Sequence, residues 1–96
     1  MKFESATNSQ VNGTCLQGYV ETTYAKLVEV FGEPQGASDK TTAEWFVQFG
    51  DGTIATIYDW KVHESPMDKY SWHIGGFNKQ AVYLVQKALE VTAIIA

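Results

Sequence analysis

The stretch Ala43-Glu44-Trp45-Phe46-Val47-Gln48-Phe49, continued by Gly50-Asp51-Gly52 and then by Thr53-Ile54-Ala55-Thr56-Ile57-Tyr58-Asp59, decides the fold. Successive side chains of a strand point to opposite faces, so Trp45, Val47 and Phe49 share one face while Glu44, Phe46 and Gln48 take the other. Asp and Gly tolerate the positive backbone angles of a tight hairpin turn, which makes residues 50–52 the connection. The returning segment is β-branched at Thr53, Ile54, Thr56 and Ile57, as suits a partner strand. Such a hairpin predicts an antiparallel sheet with one oily face, and that face needs a second layer to cover it.

Toward the C-terminus, residues 61–69 form a polar excursion with Ser65-Pro66, too long for a tight hairpin loop and without an apolar period. Tyr70 to Ile74 reads as another strand, ended by Gly75-Gly76. Asn78 is a natural N-cap for a helix from Lys79 to about Glu90, with Phe77 placed to staple onto Val82. Its apolar face is Ala81, Val82, Val85, Ala88 and Leu89. The apolar tail Val91 to Ala96 predicts docking on the body or contact with another subunit.

Toward the N-terminus, residues 35–41 read as a polar loop. Before it, Tyr24, Leu27, Val28 and Phe31 recur at i, i+3, i+4 and i+7 behind Thr22 as N-cap, which predicts a second amphipathic helix. Gly32 and Pro34 stop that helix near Phe31. Thr14 to Val20 reads as a strand in which Gly18 marks a bulge or a close backbone approach. Residues 1–13 carry turn chemistry and no sustained period; they read as a flexible leader able to add an edge strand. The expected architecture is a single α+β domain over residues 14–96. Its order is strand-helix-strand-strand-strand-helix, a two-layer sandwich of a small antiparallel sheet with both helices on one side.

Ninety-six residues leave room for one modest core. The content of 45% apolar and 14% aromatic residues suits a folded globule. A formal charge of -4, with Asp and Glu scattered singly, argues against bulk nucleic-acid binding, which uses clustered Lys and Arg. It argues equally against a mimic of DNA, which needs dense acidic rows. The absence of a long apolar run and of a signal-like start predicts no membrane segment and a cytoplasmic location. The single Cys15 excludes an internal disulfide and a multi-Cys zinc site; the residue reads as a small buried hydrophobe. A short chain with an apolar tail also predicts a homo-oligomer, most simply a symmetric dimer.

Several segments together resemble a group of short bacteriophage proteins of unassigned function. They are Leu16-Gln17-Gly18-Tyr19, Tyr24-x-x-Leu27-Val28-x-x-Phe31-Gly32-x-Pro34, Glu44-Trp45, Asp51-Gly52-Thr53, Thr56-Ile57-Tyr58-Asp59-Trp60-Lys61 and Trp72-His73-Ile74-Gly75-Gly76. The resemblance covers most of residues 14–76 and offers no catalytic residues. It implies a phage origin, action in the infected host cytoplasm and, as for many small non-structural phage proteins, inhibition of host defence.

Two stretches, Thr56–Lys61 and Ser71–Gly76, crowd aromatic, charged and Gly residues at strand ends, which marks them as a candidate binding site. Candidate ligand-binding residues are Gln17, Tyr19, Tyr58, Trp60, Lys61, Trp72, His73, Gly75 and Gly76. Aromatic rings at strand ends offer a stacking platform for a nucleobase, although any single Trp also suits the core. Alternation puts Tyr58 and Trp60 on one face and Ile57 and Asp59 on the other, so one of these pairs must be core. Gly75-Gly76 before a helix start suits an anion at free amides, and more simply makes a plain tight turn from strand to helix. His73 and His63 are spaced ten apart without further convergent ligands, which argues against a metal; no nucleophile accompanies His73. Lys61 and His73 read as donors to a ligand or as plain surface groups. No cofactor is expected, and no catalysis. The reading that follows is a non-catalytic sponge for a nucleotide-derived immune signal of the host; the alternative is a module that inhibits a host defence protein by direct binding.

Overall fold

The computed structural model describes residues 2–96 and contains the expected hairpin at its centre. The described elements are β1 (Phe3–Ser5), α1 (Asn8–Val11), β2 (Cys15–Thr22), α2 (Tyr24–Phe31), β3 (Gly36–Ser38), β4 (Thr41–Phe49), β5 (Ile54–Tyr58), β6 (Tyr70–Gly76), α3 (Gln80–Leu89) and β7 (Ala93–Ile95). One antiparallel sheet runs β1-β4-β5-β6-β2-β7, with β3 paired to β4 off that path. The fold is α+β, as the hairpin and the two amphipathic helices require.

The sheet has seven strands where four were expected, and there is a third helix. The additional strands β1, β3 and β7 are three residues each, too short to carry a hydrophobic period. Residues expected as a loose leader therefore form structure. Phe3 pairs with Phe49, and the Gln10 amide donates to Gln48 Oε1 at 3.0 Å. Helix α1, only four residues long, is closed by a capping box between Thr7 and Gln10. The tail becomes β7 on the outer edge of β2, and the Lys79 ammonium holds it by donating to the carbonyls of Gln17 and Ala96.

Trp45, Val47 and Phe49 of β4 are all buried, as are Ile57 of β5 and Trp72 and Ile74 of β6. They meet Leu27 of α2 and Ala81, Val82, Val85 and Leu89 of α3, so both longer helices cover one face. The two buried indoles are 5.5 Å apart edge to face. Each is satisfied, Trp45 Nε1 donating to the Gly32 carbonyl at 2.7 Å and Trp72 Nε1 to the Thr22 carbonyl at 3.1 Å.

Local corrections follow from packing. Thr23, not Thr22, caps α2, because Thr22 is the buried last residue of β2. Gly32 ends α2 at φ 85°, a left-handed angle that suits Gly. Lys79 occupies the cap position of α3, although Asn78 Oδ1 still accepts the Gln80 N–H at 3.0 Å. Phe77 is 56% exposed and lies outside the core, so it does not staple onto Val82. Gly18 follows a register shift in the β2–β6 ladder, and a Cβ there would collide with the Ile94 carbonyl; both the bulge and the close approach are present. No helix among the described residues is long and apolar enough to cross a membrane.

Candidate functional site: an aromatic groove on the second face of the sheet

Because α2 and α3 cover the first face, the alternate side chains of the central strands look the other way. Phe46, Thr56, Tyr58, His73 and Tyr19 occupy that second face, where α1 lies against only part of the sheet. A groove of ≈ 310 Å³ opens there, with Phe46, Thr56, Tyr58 and Trp60 among its lining residues and Val11 of α1 beside them. Gly75 contributes no side chain to its floor; a Cβ at that position would run into the Thr56 hydroxyl and touch the Tyr58 ring at 3.5 Å.

Register brings the rings together. Tyr58 lies opposite His73, and His73 opposite Tyr19, so the three form a row across β5, β6 and β2. His73 is 4.9 Å from Tyr19 and 5.3 Å from Tyr58, centroid to centroid. Trp60 continues the row at 6.3 Å from Tyr58, and 42% of it remains exposed.

The turn that carries Trp60 is built on Asp59. Asp59 is fully buried, and its carboxylate accepts the backbone N–H groups of Thr42 at 2.6 Å and Ala43 at 3.4 Å, together with the Thr42 hydroxyl. A buried carboxylate must be satisfied in this way. The Lys61 N–H donates to the Lys40 carbonyl at 2.7 Å, which clamps the loop before β4 against the turn after β5. Lys61 itself sits at φ 56°. The clamp places the ammonium groups of Lys40 and Lys61 at 5.8 and 5.9 Å from the centroid of the Trp60 ring.

One carboxylate lines the groove. Glu44 lies opposite Tyr58 in the ladder, and its Oε2 accepts the Thr41 hydroxyl at 2.6 Å. Burial pushes the Tyr58 phenol above its ordinary range, with negative charge from Tyr19, Cys15 and Glu44 adding to it. Burial likewise holds His73 below the usual imidazole range, and Asp59 opposes that shift in part. His73 Nδ1 is buried without a hydrogen-bond partner, which disfavours the cation further.

Of the residues singled out in the sequence, Tyr19, Tyr58, Trp60, Lys61, His73 and Gly75 fall together at this face. Trp72, Gln17 and Gly76 do not. Trp72 is fully buried on the helix side. The Gln17 amide is spent on the Gly76 carbonyl at 3.0 Å and on Cys15 Sγ at 3.4 Å, bridging the bulge; Cys15, expected to be buried, is exposed because it begins β2 at the end of the β2–β6 ladder. Gly76 faces α3, where a Cβ would stand 2.6 Å from Ala81 Cβ. Gly75 and Gly76 are both strand residues paired on two sides, so the free amides of an anion-binding turn are not found there. Lys40, Glu44, Phe46 and Thr56 join the site without having been singled out. Glu44, Phe46 and Thr56 were legible in principle, since they alternate with core residues in the hairpin; Lys40 carried no signal.

A larger hollow of ≈ 570 Å³ lies around Lys2, Phe3, Glu4 and Gln48. Its rings Phe3 and Phe49 pack on each other at 5.9 Å, and Phe49 is buried, so that hollow offers a ligand little aromatic surface. Among the described residues, no three His, Cys, Asp or Glu side chains converge so as to hold a metal ion. No family model matches the chain, and neither curated proteins nor solved structures give a match.

Proposed function

We propose that this chain is a non-catalytic binder of a nucleotide-like small molecule, held in the second-face groove. The observation that carries the reading is Trp60, partly exposed beside Tyr58 with two ammonium groups within 6 Å of its ring. Rings of this kind stack a base for about 1 to 3 kcal/mol, while lysines attract the phosphate. A groove of ≈ 310 Å³ is at the small end of ligand pockets, the size for one base with part of its sugar. Taken with the resemblance to short phage proteins, the role is that of a phage-encoded sponge, sequestering a nucleotide-derived signal of host defence in the host cytoplasm. A panel of cyclic dinucleotides and ADP-ribose derivatives tests it by thermal shift. A ligand at ~100 times its dissociation constant adds roughly 2.7 kcal/mol, a plain rise in melting temperature; no rise across the panel contradicts the reading.

A second reading, inhibition of a host defence protein by direct contact, is favoured by Ile94. It is 53% exposed and pairs with Tyr19, which extends the aromatic face to the sheet edge. Native mass spectrometry of the protein from infected cells separates the two, retaining either a small molecule or a host subunit. The outer edge of β7, with Ile94 and Ile95 exposed, also suits a homodimer formed by edge pairing. Sedimentation as a monomer at micromolar concentration contradicts the dimer.

A further inference from the structure

We infer that the groove selects a guanine-type base, read by Glu44 through the ring N–H and the adjacent exocyclic amine. The inference rests on the nucleotide reading above and adds which base is taken and which way round. Among the described residues Glu44 is the one carboxylate lining the groove, and it stands across the β4–β5 ladder from the Tyr58 ring. The Trp60 ring stands at 70° to Tyr58, so a base stacked on the exposed Trp60 face lies over the groove and meets this carboxylate at its edge.

That carboxylate is oriented before any ligand arrives. Thr41 Oγ1 accepts the Ser38 N–H at 2.9 Å and donates to Glu44 Oε2 at 2.6 Å, which fixes the head group and leaves Oε1 and the second lone pair of Oε2 for a ligand. An ionised carboxylate only accepts hydrogen bonds, and it is best met by two parallel donors. Guanine presents such a pair. Adenine and cytosine present one amine beside a ring nitrogen whose lone pair faces the carboxylate. Uracil presents one N–H between two carbonyl oxygens. The Thr56 hydroxyl in the same groove is available to the guanine carbonyl.

Charge sets the orientation. A phosphate beside Glu44 is repelled, whereas the Lys40 and Lys61 ammonium groups around Trp60 attract it. The base edge thus lies inward at Glu44 and the phosphate outward at the lysines.

Titration calorimetry at neutral pH and low salt with GMP, IMP, AMP and UMP, and with cyclic di-GMP against cyclic di-AMP, tests the assignment. IMP keeps the ring N–H and lacks the amine. GMP is expected to bind about tenfold more tightly than IMP, with AMP and UMP weaker still, and cyclic di-GMP more tightly than cyclic di-AMP. Glu44→Gln is expected to remove most of the GMP preference while Trp60→Ala weakens all the nucleotides alike. Should Glu44→Gln fail to fold, the GMP to IMP ratio of the unaltered protein decides. Nucleotides that bind in a Trp60-dependent way without favouring guanine overturn the inference and leave the nucleotide reading standing. Binding of none of these probes overturns both.

Discussion

The Asp59 carboxylate accepts the Thr42 backbone N–H at 2.6 Å, and this bond ties the start of β4 to the turn that presents Trp60. A charge buried in a small core is tolerated only when several donors surround it, as the Thr42 hydroxyl and the Ala43 N–H also do here. Asp59→Ala leaves two backbone amides without their acceptor and is expected to cost about 3 kcal/mol, read as a lower midpoint in urea. Asp59→Asn keeps one acceptor oxygen and costs less. Equal loss in the two variants contradicts the role given to the carboxylate.

His73 makes stability depend on pH. Burial keeps the folded imidazole below the ordinary value of 6.5, so the unfolded chain takes up the proton first as pH falls. The stability tied to the neutral ring is complete above about pH 6.5 and declines below it, before most carboxylates titrate. Denaturation midpoints at about pH 7.5 and about 5.5 measure the decline. His73→Phe keeps a ring between Tyr19 and Tyr58 and is expected to flatten the difference; an unchanged slope assigns the effect to other groups.

The two adjacent glycines of β6 differ in what a methyl group meets. At Gly76 it presses on Ala81 Cβ at 2.6 Å and on the Ile54 carbonyl at 3.1 Å, both held by the core. At Gly75 it meets a Thr56 hydroxyl able to turn away and a ring at 3.5 Å. Gly76→Ala is expected to lose about 2 kcal/mol of stability, and Gly75→Ala to lose less while filling the groove. Thermal unfolding ranks them; the reverse order contradicts the assignment of faces.

The parts of the fold legible in the sequence are those with enough residues to show a period. The alternation from Ala43 to Asp59 placed the hairpin and its oily face, and α2 and α3 followed from their helical spacing. Strands β1, β3 and β7 owe their existence to neighbouring ladders, a tertiary effect that three residues cannot announce. The site was half legible for the same reason. Alternation separated Tyr58 and Trp60 from Ile57 and Asp59, yet it could not say that the pair containing a charge would be buried. The Thr42 contacts decide that, from 17 residues away. Trp72 and Trp60 look alike as sequence, yet Trp72 lies within β6 on the face of Ile74 that the helices cover, whereas Trp60 lies beyond the end of β5 and stays exposed.

Lys40 and Lys61 are exposed, so any pull they exert on a ligand in the proposed site is screened by salt. Lys61→Ala is expected to weaken nucleotide binding several-fold at low salt and hardly at all at ~1 M salt, where charges interact over only about 3 Å. Titrations at the two ionic strengths check this. A loss independent of salt points instead to damage in the turn that Lys61 shares with Trp60.

The most direct test of the groove is a comparison of unaltered protein with Trp60→Ala, both purified from cells and examined by native mass spectrometry. Trp60 is 42% exposed, so the substitution leaves the core intact. Groove binding predicts a retained nucleotide-sized mass on the unaltered protein that is lost or greatly reduced on the variant, since a stacking contact is worth about 1 to 3 kcal/mol. Equal retention of that mass by both proteins, or no retained small molecule on either, contradicts it.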